Sequence, residues 1–197
     1  MPVIDLESAA REVVRLLDGV SEDRLDDPTP AGISVAVLLD HFMGLALAFT
    51  WAARKSTPPE GARGPTASAE HLDPQWRTLL PRRLDELVEA WRDPIAWEGM
   101  TEAGGVTAPA EQMAVVALDE LVLHGWDLAR ATGRPFTCNP ANTAAVLAFT
   151  SASAQPEQAA GRKGLFGPVV EVGKDAPAFD RALGFAGRDP AWTPKSA

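Results

Sequence analysis

Apolar residues at Leu6, Ala9, Val13, Leu16, Leu17 and Val20 recur every three or four positions, so Ile4 to Val20 is predicted to be an amphipathic helix. Asp5 or Ser8 is placed to cap it, and Gly19 lies near its end. The run Asp26-Asp27-Pro28-Thr29-Pro30-Ala31-Gly32 cannot continue a helix and reads as a loop. Ser34 then caps a second predicted helix reaching about Arg54. Its stripe of Leu38, His41, Leu45 and Ala48, flanked by Phe42 and Phe49, puts His41 on the face expected to be buried. Ser56 to Pro74 is rich in proline, glycine and small polar residues and is expected to be a long loop carrying His71. A third helix is predicted from about Gln75 or Pro81 to Trp91, with Leu80, Leu84, Leu87, Val88 and Trp91 inward and Arg82, Arg83, Asp85, Glu86 and Glu89 mostly outward.

Gly99, Gly104 and Gly105 mark Trp97 to Ala108 as a loop or short hairpin, and Pro109 suits the first turn of a fourth helix. That helix is predicted to run to Thr132 and stop at Gly133-Arg134-Pro135. Asn139-Pro140 offers a cap and first turn for a fifth helix through about Ala154. A glycine-rich stretch, an extended segment Phe166 to Val172, and a short helix opening at Asp175-Ala176-Pro177 and ending toward Gly187 complete the chain. There is no internal repeat and no low-complexity segment. Four substantial helices with a long second-to-third connection predict an all-α fold, a four-helix bundle with a short helical and extended C-terminal appendage. All 197 residues are expected to form a single domain.

Composition narrows the function. Hydrophobic residues make up 46% and charged residues 23%, as in ordinary globular domains, and no stretch is expected to span a bilayer. The first residues lack a basic start followed by an apolar core, so a cytoplasmic protein is expected. A net charge of -9 and a pI near 4.8 argue against nucleic acid or an anionic membrane as partner, leaving a small molecule or another protein. Cys138 is the only cysteine, which excludes an intramolecular disulfide and any multi-cysteine zinc site, and it reads as an inert thiol.

The candidate chemistry sits on the fourth helix. Its stripe of Met113, Val116, Ala117, Glu120, His124, Leu128 and Ala131 is interrupted by two polar residues one turn apart. An ionised carboxylate on a core-facing stripe is costly unless it is paired or holds a metal. Glu120 and His124 at that spacing can converge on one ion, with His41 as the candidate third ligand. A buried Glu-His hydrogen bond is the structural alternative. Two imidazoles and one carboxylate suit Zn²⁺, Ni²⁺ or Fe²⁺ and leave positions open for water or substrate. Asp127 and Asp40 are candidates to orient an imidazole, against the plainer reading of helix-surface carboxylates. Trp51, Trp91, Trp97 and Trp126 read as packing or as the rim of a pocket, Arg82 and Arg83 as a solvated face, and His71 as a surface histidine or a fourth ligand. Pocket specificity is expected to depend on loops 56 to 74 and 97 to 108.

Thr29-Pro30, the run Gly32 to His41, the run Asp119 to Gly133, and the C-terminal Phe166 to Val172, Asp175 to Arg181 and Gly187-Arg188-Asp189-Pro190 resemble the actinobacterial metal-binding proteins of the DinB/YfiT-like superfamily. The resemblance extends to the mycothiol-dependent maleylpyruvate isomerases. The resemblance covers nearly the whole chain and implies a divalent metal, zinc first and nickel as the alternative, held by His41, Glu120 and His124. It further implies a metal-dependent enzyme, a thiol S-transferase or isomerase using mycothiol or a similar thiol as a metal-bound thiolate on a small electrophile. A metal-hydroxide hydrolase, a biosynthetic tailoring enzyme and a noncatalytic binding protein are the alternatives, and homodimers are common among related bundles. Relatives usually carry Trp where Ile33 stands and Asp where Val37 stands, and the isomerases have a further C-terminal domain not expected within 197 residues.

Overall fold

The computed structural model describes residues 4–57, 66–162 and 165–194, and over them the protein is mostly helical with one small sheet. Helix α1 spans Leu6–Leu17, and Asp5 caps it by accepting a hydrogen bond from the Ser8 amide at 3.0 Å. Helix α2 spans Val35–Ala53, where Ser34 accepts from the Val37 amide at 3.4 Å. Helix α3 spans Trp76–Arg92, so the start near Gln75 holds and Pro81 lies inside the helix. There it leaves the Arg77 carbonyl without its helical donor. Residues 58–65 of the long connecting loop lie outside the described residues, and Ala69–His71 forms a 3₁₀ turn.

The glycine-rich stretch after α3 is a hairpin, with β1 at Met100–Ala103 paired antiparallel to β2 at Val106–Pro109. Pro109 ends that strand and precedes helix α4, Ala110–Thr132, instead of opening its first turn. Gly133 closes α4 at φ 68°, the left-handed conformation that glycine adopts without a Cβ penalty. Helices α5 (Pro140–Ser153), α6 (Ala159–Arg162) and α7 (Ala178–Phe185) follow. The one-turn α6 was not foreseen, and Phe166 to Val172 forms no strand, although the Val170 amide donates to Gly184 O at 2.9 Å.

Helices α1 and α2 each pack against both α3 and α4, while α5 packs on α4 and on α7. One apolar cluster joins Val13, Leu38, Leu39, Phe42, Leu84, Leu118 and Leu128 to Leu183 of α7. The buried face of α2 is Leu38, Leu39, Phe42, Met43, Ala46 and Phe49, while His41, Leu45 and Ala48 are only half-buried. The expected stripe was therefore rotated, and His41 stands at the margin of the core. Contrary to expectation, α2 is long and apolar enough to cross a membrane by length and composition. Its apolar face is instead taken up inside the protein, against α3 and α4.

Candidate metal centre

Helix α4 is covered on nearly every side. From Ala117 to Thr132 all its residues are buried except Glu120, His124 and Arg130. Arg130 reaches the carbonyl of Trp192, with Nε at 3.0 Å. Glu120 and His124, one turn apart, therefore mark a seam where the cover of α4 opens. His41 faces that seam from the edge of the α2 core face.

The three residues converge there. His124 Nε2 lies 3.1 Å and His41 Nε2 3.4 Å from the same Glu120 oxygen, Oε2. The imidazole rings stand edge to face with centroids 4.8 Å apart. One ligand atom from each residue falls within 4.8 Å of the others. In a tetrahedral zinc site with bonds of about 2.0–2.2 Å, neighbouring ligand atoms stand roughly 3.3–3.6 Å apart. Two of the separations, 3.1 and 3.4 Å, are close to that spacing and the third lies within 4.8 Å, so the donor set fits a divalent cation with the two imidazoles drawn together around it. The side chains retain 24%, 21% and 14% exposure for His41, Glu120 and His124, so the cluster is reachable from solvent.

A second layer of residues fixes His124. Its Nδ1 donates to Asp127 Oδ2 at 2.9 Å, which leaves Nε2 for the cluster. The Asp127 side chain is fully buried and accepts from Arg188 as well, Nε lying 3.0 and 3.1 Å from its two oxygens and Nη2 2.8 Å from Oδ2. Of the two carboxylates proposed to orient an imidazole, Asp127 does so. Asp40 instead accepts from the Ser68 amide at 3.1 Å, anchoring the 66–71 segment at the level of His41. Arg188 was not singled out for a role, because nothing in local spacing links position 188 to position 127.

The charges follow this wiring. Burial raises the Glu120 carboxyl, but hydrogen bonds from His124 and His41 outweigh it and hold it well below the usual carboxylate range. Burial lowers the His124 imidazole, yet its bonds to Asp127 and Glu120 prevail and push it up to about 9. Asp127 is likewise lowered: desolvation opposes ionisation, but Arg188 and His124 overcome it. Asp119, also on α4 and buried, is pushed well upward by desolvation and by Glu120, and its Oδ1 has no hydrogen-bond partner among the described residues.

The remaining candidates fall outside the cluster. His71 is exposed on its 3₁₀ turn and is not in the convergent trio. Arg82 is exposed and faces Glu86 at 4.0 Å, whereas Arg83 is half-buried and donates to Met43 O at 3.1 Å. Trp91 and Trp97 are packing residues, stacked edge to face at 5.4 Å with their indole N–H groups on Phe49 O and Trp91 O. Trp126 is buried under Arg130, and Trp51 is half-buried. Burial raises the Cys138 thiol, in keeping with an inert side chain. The hairpin docks through Thr101 on Ala52 O, near the far end of α2 and roughly 16 Å along its axis from His41. Of the two loops expected to shape the pocket, only the 66–71 segment is thereby tied to the site.

No curated protein and no solved structure matches the chain. The family model for the mycothiol maleylpyruvate isomerase N-terminal domain, a DinB-like family, matches residues 6–129, a span that contains α1 to most of α4 and all three convergent residues, and the chain belongs to that family.

Proposed function

We propose that His41, Glu120 and His124 bind a divalent metal, zinc first and nickel as the alternative, and that the protein is a metal-dependent thiol S-transferase or isomerase. The observation carrying this is the approach of two imidazole Nε2 atoms to one carboxylate oxygen, at 3.1 and 3.4 Å, with His124 Nδ1 turned away to Asp127. A divalent cation held there would supply Lewis acidity that favours the thiolate or hydroxide form of a small ligand near neutral pH. The protein's own residues orient the site: Asp127 sets the His124 ring, and Glu120 offsets positive charge between the two imidazoles. Family membership supports mycothiol, or a similar thiol, as cosubstrate for a small electrophile.

We read helices α1 to α4 as a DinB-type four-helix bundle and the whole chain as one domain, supported by the apolar cluster that includes Leu183 of α7. A cytoplasmic protein acting on a small molecule, with no nucleic-acid or membrane partner, completes the proposal, in keeping with the net charge of -9. One observation favours the noncatalytic alternative: without a cation, Glu120 is already hydrogen-bonded to both histidines and needs no ion for its charge.

Elemental analysis of tag-free protein decides between them. About one zinc or nickel per chain, lost in both His41→Ala and Glu120→Ala, is the expected result. Wild-type protein that takes up no metal from excess ions overturns the proposal and leaves the trio as a hydrogen-bond cluster. With metal confirmed, thiols are screened against small electrophiles for turnover.

A further inference from the structure

We infer that Arg188, which lies beyond the family-matched residues 6–129, is a positioning residue that sets the cation affinity of the His41/Glu120/His124 site by locking Asp127 against His124. This rests on the metal reading above and extends it to the C-terminal segment. The carboxylate torsion of aspartate is intrinsically broad, so Asp127 alone would offer His124 a moving acceptor. Arg188 removes that freedom by contacting both carboxylate oxygens with a planar fork. Its Nη2 and His124 Nδ1 converge on the same oxygen, Oδ2, at 2.8 and 2.9 Å, and stand 3.5 Å from each other as a result. The ring is thus held with Nε2 toward Glu120.

The backbone holds the guanidinium in turn. Arg188 is 8% exposed, its amide donates to Leu183 O at 2.9 Å, and its Nη1 donates to Ala186 O at 3.2 Å. A lysine cannot reproduce this arrangement, because one ammonium cannot address both carboxylate oxygens in the fork geometry and also reach that carbonyl. The ion pair is therefore more than a clasp between α4 and the C-terminal segment. It ends on the oxygen that orients a proposed ligand.

The test uses the full, tag-free chain as wild type, Arg188→Lys, Arg188→Met and Phe179→Ala. The last is a control that loosens α7 by removing the stack of Phe179 on Phe136, away from the Leu183 and Ala186 carbonyls that hold Arg188. Zn²⁺ is titrated against a chromophoric chelator near neutral pH, and thermal unfolding is followed on the metal-free proteins. Zinc affinity is expected to fall about tenfold in Arg188→Met and by less in Arg188→Lys, while Phe179→Ala keeps wild-type affinity at a lower unfolding temperature. Equal affinity in Arg188→Met and wild type, or the same loss in Phe179→Ala, overturns the inference.

A second readout needs no metal. With only three histidines in the chain, nitrogen-edited NMR of the rings resolves His124. Its Nδ1 proton is expected to be protected from exchange in wild type and broadened in Arg188→Met. An unchanged signal overturns the positioning role. A wild type that binds no zinc removes the metal reading, and the spectra still decide whether Arg188 orients the ring.

Discussion

Replacing Asp127 by alanine strands a buried cation. The Asp127 side chain is fully buried, and among the described residues it is the only carboxylate within hydrogen-bond distance of the Arg188 guanidinium, which also donates to the Ala186 carbonyl at 3.2 Å. Removing one partner of such a pair typically costs about 3–5 kcal/mol, because the remaining charge stays desolvated without compensation. The cavity left by a carboxymethyl group adds to this, and loss of the His124 bond at 2.9 Å adds again, so the low end of that range is a floor. For a chain of 197 residues each kcal/mol moves the midpoint by about 2–4 °C, which gives a fall of roughly 6–20 °C. Urea unfolding of chelator-treated Asp127→Ala measures the free energy, and the double variant Asp127→Ala/Arg188→Met separates the causes. If the penalty is the stranded guanidinium, the double variant is more stable than Asp127→Ala alone. A loss below about 1 kcal/mol, the range of an exposed pair, or a double variant less stable than the single one would refute the reasoning.

Three further outcomes follow from the structure. The metal-free His124 imidazole is raised from 6.5 to about 9, so its contribution to stability is fully present below 6.5 and is lost as the pH rises through about 9. Because a cation must displace that proton, apparent zinc affinity should climb by up to about tenfold per pH unit over the same window, and a flat isothermal-titration profile contradicts this. Gly187 has φ 80°, and a Cβ on it would come within 2.8 Å of Gly167 and of Pro168 O, so Gly187→Ala should cost roughly 1–3 kcal/mol in thermal unfolding and expose residues 165–194 to limited proteolysis. Wild-type protease resistance in that variant counts against the tight seating of the segment.

Local patterns alone carried much of the architecture. Ser34, Asn139 and Gly133 set helix boundaries through bonds and dihedrals that involve only neighbours in sequence, and those boundaries were legible. The pairing of Glu120 with His124 was legible for the same reason, since a spacing of four on a helix fixes their direction. His41 joined them as a candidate because few histidines were available and its helix carried an apolar stripe. Its place at the margin of that stripe was decided only by how α3 and α4 pack on α2, which sequence periodicity does not specify. The hairpin at 100–109 and the 66–71 segment looked equivalent as pocket-forming loops until docking sent one to the far end of α2 and tied the other to Asp40. Arg188 meets Asp127 across 61 residues, through the turn after α7. The sequence by itself determined the main helices and the Glu120–His124 pair on one of them; tertiary packing decided which side of that pair stays open and which buried charges hold it in place, because both depend on contacts between segments with no local signal of one another.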